Sequence, residues 1–344
     1  TPQNWLNTQD PAKGPPPRTL MPFVNWCLRG SYFVLTLAAL ASITSGVFEM
    51  LTAALLGIVL DVVLETGPER LFAEQGIFLI AACTFILFVR PIFFIVSAYA
   101  QSVVVGPNLR KLVATRLHRW TLGHSTSFFD NDFAGRIAQK EVQAASALTD
   151  VMVEFLHTVL FAVASVIAAI LIISSIDLRI GLVVGIWFIG FYGLMRFFLP
   201  RIRLNSAARA NAQASATGQI VDTVSNISIV KLFANSRHED KAALSAFEHL
   251  RSTSIEYGKS LTRFRTYLLI YSGVIFIAVT GSTIMLWAIG NATPGAVVAA
   301  GSVAMRLMMM AGWVSFSLMT IYTNLGEVED AMNTLTPPHS LSDA

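Results

Sequence analysis

Residues 155–200 read FLHTVLFAVASVIAAILIISSIDLRIGLVVGIWFIGFYGLMRFFLP. A polar joint, SSIDLR at 174–179, separates two apolar runs of about the 20 residues that an α-helix needs to cross a hydrocarbon core about 30 Å thick. The stretch therefore predicts two membrane-spanning helices joined by a tight turn. Working outward, apolar windows of sufficient length recur at about 31–60, 76–105, 266–290 and 295–325, which makes six with 155–176 and 180–200. The composition agrees. Of 344 residues, 54% are hydrophobic and only 13% charged, and the mean hydropathy is +0.61, whereas a water-soluble domain carries roughly twice that share of charge. The expectation is an all-α membrane protein. Cys27 and Cys83 both lie in apolar surroundings and imply neither a disulfide framework nor a metal site. Residues 1–18 are polar and Pro-rich, without a signal-peptide core, and read as a disordered cytoplasmic leader.

The spans pair through short joints at 61–76, 174–179 and 290–295, where Arg70 and Arg179 are the cations. The opposite connections, between spans 2 and 3 and between spans 4 and 5, are long and basic. Arg110, Lys111, Arg116, Arg119, Arg136 and Lys140 lie in the first, and Arg201 through Arg265 in the second. This bias places the long connections and both termini of a multi-pass protein in the cytoplasm; the membrane expected is the inner (cytoplasmic) one. In PNLRKLVATRLHRWTLGH (107–124), Leu109, Leu112, Val113, Leu117 and Trp120 form one helical stripe with the arginines opposite. Residues 201–219 are Ala-rich, and 236–257 open with Ser and early acids; both favour helix. The spans thus continue outward as helical stalks, each returning at a tip, HSTSFFDNDFAG (124–135) and TGQIVDTVSNIS (217–228). The stalks read either as struts that dock a cytoplasmic partner or as part of a structural bundle.

Six spans, two helical excursions, the tip Phe128–Phe129–Asp130 followed by Gly135 and Arg136, the run Ile229–Val230–Lys231 with Phe233, and ATPGAVVAA (292–300) together resemble the membrane domain of ATP-binding-cassette exporters. The resemblance covers about 20–335. It implies a membrane domain at 19–325 with two coupling helices, and a linker at 326–344 leading to a nucleotide-binding domain absent from this chain. Ala144 stands where the family places an acid nine residues after the tip glycine, and Arg136 where it often has an acid or another polar residue. No G-x-x-x-x-G-K-[ST] phosphate loop is present, so this stretch is not an ATPase by itself. ATP and Mg²⁺ are expected on the nucleotide-binding domain, and the linker-like ending favours truncation over a separate motor chain. The implied partners are that domain, a second copy or a paralogue, membrane lipids and a small amphipathic substrate, with no nucleic acid.

Within the family each tip plugs into a groove on the motor. Phe128 and Phe129 suit such a pocket or, alternatively, pack on the bundle; Asp130 and Asp132 cap the short helix or pair with basic motor residues. In the second tip Asp222, Val224 and Ile227 are the docking candidates, with capping the other role for Asp222. Charges inside spans are costly and face a cavity or one another. Glu49 and Arg90 form either a structural ion pair or a substrate contact; Arg306, without an evident partner, points to the cavity. Met305 and Met309, within MRLMMMAGW (305–313), suit an adaptable binding wall or lipid contact. No Cys or His joins them as a copper site, the six histidines lack metal-ligand spacing, and no nucleophile–base pair is evident. These readings point to the substrate-translocating part of an exporter working by alternating access as a dimer and moving a drug-like compound, lipid or peptide. A membrane-anchored sensor or scaffold, or a passive channel, is the alternative.

Overall fold

The computed structural model describes residues 5–12, 14–125, 134–232 and 236–337, with backbone alone at 134–136, 229–230 and 236–239. Among the described residues every regular element is a helix. These are α1 (Leu20–Leu28), α2 (Tyr32–Thr66), α3 (Leu71–Leu122), α4 (134–176), α5 (Leu178–Ser225), α6 (Ile227–Leu232), α7 (Ser236–Ala288) and α8 (Pro294–Leu335). Six of them are long and apolar enough to cross a membrane. α3 has 52 residues, α5 48 and α7 53. At about 1.5 Å per residue each spans roughly 70–80 Å, more than twice the hydrocarbon core, so spans and stalks are single continuous helices.

Two compact units divide the chain, one of residues 1–185 and 275–344, the other of 186–274. In the first, α2 packs on α4 and α8 through small residues. A Cβ on Gly57 would fall 2.1 Å from the Gly295 carbonyl oxygen, and one on Gly46 2.5 Å from that of Phe161, so both helices approach backbone to backbone. The Asp61 carboxylate accepts from the Gly295 amide at 2.7 Å and from the Thr293 hydroxyl, while Thr293 Oγ1 caps α8 by accepting from the Ala296 amide at 3.0 Å. Turns of π-helix interrupt α3 at Phe85–Val89 and Ala100–Val105, and α4 at Phe155–Leu160. The first lies directly before Pro91, whose ring removes a donor and crowds the preceding turn; widening that turn relieves the clash.

A second part of this unit's core, outside the spans, contains the predicted stripe: Leu109, Leu112, Val113 and Leu117 are buried with Phe23, Cys27, Leu148 and Met332. Two expectations fail here. Arg116 does not face away from the stripe; it is buried, donating to the Asp10, Trp26 and Cys27 carbonyls and to the Asp10 carboxylate at 2.9–3.1 Å. Burial lowers its pKa while Asp10 holds it up. The leader is correspondingly not disordered over its described part: Leu6 is buried, Arg119 donates to the Gln9 carbonyl at 2.8 Å, and Trp26 Nε1 to that of Gly14 at 3.1 Å. The reason is that leader carbonyls complete the guanidinium's hydrogen bonding. Ala144 is buried in the same core. At the end of α3, Trp120 Nε1 donates to the Leu335 carbonyl at 3.0 Å and His124 Nε2 faces that of Pro337 at 3.1 Å.

In the second unit, α5 and α7 are joined by reciprocal bonds: Trp187 Nε1 donates to the Tyr271 carbonyl at 3.1 Å and Tyr271 Oη to that of Trp187 at 2.8 Å. Their rings stack 5.9 Å apart. Further along, Asn205 donates to Ser260 at 2.6 Å and the Arg209 guanidinium lies 4.6 Å from the Tyr257 ring centroid. The Ala-rich stretch buries Ala212 and Ala216, as close helix packing requires.

Candidate functional site

Glu49 of α2 lies between two arginines. Its Oε2 accepts from Arg90 Nη2 at 2.7 Å and Nε at 3.1 Å, while its Oε1 accepts from Arg306 Nη1. The arginine on α8 therefore has the partner its sequence context did not reveal, 257 positions away. The Glu49 side chain is 17% exposed and the two arginines are about twice as open, at 34% and 36%. Two cations share one anion, so the cluster carries one net positive charge among apolar helices. Such a charge is tolerated where it faces a cavity or water rather than lipid.

Cavities open on both sides of Glu49. One of about 220 Å³ is lined by Ser45, Glu49, Arg90, Pro91, Phe94 and Ile95. Another of about 110 Å³ is lined by Glu49, Met50, Phe161, Arg306, Met309, Met310 and Trp313. Met309 thus meets the site, whereas Met305 is exposed without lining either cavity. Arg90 directly follows the π-turn, one position before Pro91. Phe48, one residue before Glu49, wedges edge-on between Phe85 and Phe93 with centroids at 5.2 and 5.0 Å, which fixes the register of α2 on α3. A buried polar cluster goes unforeseen in the sequence: Gln101 Nε2 donates to Ser42 Oγ at 2.7 Å and Ser97 Oγ at 3.1 Å. Its signal is the spacing Ser97–Gln101, one helical turn, with an apolar stripe around it.

The structure describes the second tip and not the first. Phe128, Phe129, Asp130 and Asp132 lie outside the described residues, and Gly135 is described by backbone alone, in the first turn of α4. At the second tip α5 ends at Ser225 and the short α6 follows. Asp222 Oδ1 accepts from the Asn226 side chain at 3.0 Å, and the Asp222 carbonyl from the Asn226 amide at 3.0 Å. Val224 and Ile227 are exposed, as are Ile220, Val221 and Leu232. Apolar side chains gathered on one exposed helical turn-and-return are a surface suited to a partner's pocket. Among the described residues no cluster of His, Cys, Asp and Glu could hold a metal ion.

The model of the ABC transporter transmembrane region matches residues 35–311. An uncharacterized ABC transporter ATP-binding protein of Haemophilus influenzae is 27% identical over 347 aligned positions, which take in 99% of this chain and 56% of that protein. A bacterial Atm1-family ABC exporter, solved with ATP bound, superposes with a TM-score of 0.71 over 90% of this chain and 54% of its own, at 14% identity. At that identity the likeness concerns the fold alone. The chain spans about half the length of both relatives.

Proposed function

The chain belongs to the ABC transporter transmembrane region family, and on that premise we propose that it is the translocating part of an ATP-driven exporter that works as a dimer by alternating access. The observation that carries this reading is the Glu49–Arg90–Arg306 cluster, a charged site with one cation in excess that borders cavities among helices long enough to span a bilayer. A purely structural ion pair is complete at neutrality. Here each arginine is about a third exposed and only one carboxylate serves both. Phe94, Met309 and Trp313 supply the adaptable apolar wall, and the arginine nitrogens supply polar contact, so the fitting substrate is amphipathic: a drug-like compound, a lipid or a peptide.

ATP and Mg²⁺ have their place on a nucleotide-binding domain, and no phosphate loop within these residues holds them. Exposed Val224 and Ile227 support the second tip as a coupling helix, with Phe128 and Phe129 in the first tip in the same role. Closure of the motors draws the tips together, the stalks carry the movement to the spans, and the cavity changes the side to which it opens. The placement of Lys and Arg supports a multi-pass protein with both termini in the cytoplasm, and the inner membrane is the one proposed.

The test is ATP hydrolysis by the full-length protein in lipid nanodiscs, with and without a panel of amphipathic compounds. Stimulation is expected with the native chain, and its loss with Phe128→Ala/Phe129→Ala and with Arg306→Gln. Stimulation that survives both changes would leave a membrane-anchored sensor or scaffold as the better reading.

A further inference from the structure

Where the apolar stretch of α3 gives way to charge, a cavity of about 670 Å³ opens between α3 and α4. It shares no residue with the Glu49 site. Its upper wall comes from the π-turn residues Gln101 and Ser102, and its lower wall from Arg110 and Lys111, about two turns further on. Across from these, α4 contributes Ser146 and Asp150. Between the two walls lie Gly106 and Pro107 of α3 and Val153 of α4, so an apolar stretch adjoins the two cations.

Its charge is unbalanced. Arg110 reaches Asp150 at 3.5 Å, with both side chains more than half exposed, a long and weakly held pair. Lys111 is exposed and forms no ion pair among the described residues. Two cations against one acid, beside the Ser146 hydroxyl, make a pocket for an oxyanion. The apolar lining of Gly106, Pro107 and Val153 makes it one for an oxyanion that carries a hydrocarbon tail. Basic pockets between membrane helices take anionic headgroups for this reason, and each Lys or Arg at such a surface contributes about 1 kcal/mol.

We propose that this cavity binds the phosphate headgroup of an anionic phospholipid from the leaflet at which the stalks emerge. Arg110 and Lys111 neutralise the phosphate, the Ser146 hydroxyl donates to it, and the acyl chains lie toward Ser102. The site is separate from the proposed translocation pathway and ties α3 to α4 at the root of the first stalk, so that the lipid acts as a ligand and not as cargo.

The test is native mass spectrometry of the full-length protein released from nanodiscs of phosphatidylcholine and phosphatidylglycerol in equal parts. Phosphatidylglycerol should be retained preferentially. R110Q/K111Q should reduce that preference about thirtyfold, and D150N, which frees Arg110 without touching the packed core, should raise it about fivefold. R306Q should leave it unchanged, so that failure of the exporter reading and failure of this one can be told apart. Equal retention of the two lipids, or a preference indifferent to R110Q/K111Q, overturns the proposal. So does displacement of the lipid by inorganic phosphate, which would make the site one for a free anion. A disulfide between two copies carrying Ser146→Cys would overturn it as well, because a second chain would then occupy the groove.

Discussion

Gly57 of α2 and Gly295 of α8 touch through their backbones: a Cβ on the first would lie 2.1 Å from the carbonyl oxygen of the second, and a Cβ on the second 2.2 Å from that of the first. The carboxylate of Asp61, one turn along α2, takes the amide of that same Gly295. Spans 1 and 6 are thus fastened at one end by contact and hydrogen bond together. Gly57→Ala should push the helices apart at a cost of about 1–3 kcal/mol, the usual range for overpacking. Thermal unfolding in detergent reads this as a lowered Tm; an unchanged Tm would mean that α2 and α8 do not meet there.

In the charged cluster the three members are not equivalent. Glu49→Gln strands two arginines and should destabilise most, by about 1–3 kcal/mol once the partial exposure of the site is discounted from the cost of breaking a buried pair. Arg306→Gln leaves the Glu49–Arg90 bonds intact and should cost less. The order of the two Tm values is the measurement, and an Arg306→Gln protein less stable than Glu49→Gln contradicts the arrangement.

How much of this was legible beforehand differs by interaction range. The spans, their joints and the stripe Leu109–Leu112–Val113–Leu117 follow from hydropathy and helical period, which are local properties. Arg306 and Glu49 are 257 positions apart, and nothing within a helical turn of either announces the other. Arg116 counted in the sequence as one more cytoplasmic cation, yet its role is set by Asp10, 106 positions earlier in a segment whose prolines suggested disorder. Gly57 and Gly295 look like ordinary breaks until both helices are placed. Val224 and Ile227 follow from the resemblance of the tip, and both are exposed.

Exposed apolar residues that serve a partner can be replaced without harming the fold. Val224→Ser/Ile227→Ser should move Tm little, since surface changes are generally worth about 0.5 kcal/mol or less. The same protein should lose most of its substrate-stimulated ATP hydrolysis in nanodiscs. Stimulation that is retained at native level places the docking surface elsewhere.

Cys27 is fully buried, and burial drives its thiol pKa far above the ordinary value, only partly opposed by the nearby Arg116 guanidinium. The thiolate is the reactive species, so raising the pH toward the usual thiol range should not expose a reactive form. In a Cys83→Ser background, N-ethylmaleimide at about pH 8 should leave Cys27 unmodified for as long as the protein stays folded, and label it after denaturation, as read by intact mass. Labelling of the folded protein at the rate of a free thiol would show that the leader and α1 do not cover it.

Arg116 and Arg119 hold residues 9 and 10, while Trp120 in the last turn of α3 and His124 just beyond it meet the carbonyls of Leu335 and Pro337. The beginning of the chain and the stretch that follows α8 are therefore neighbours through a shared post. For anyone handling the protein this has a practical meaning. A change at residues 9–10 is an alteration of the place that also holds residues 335–337, and the two segments cannot be engineered as though they were independent.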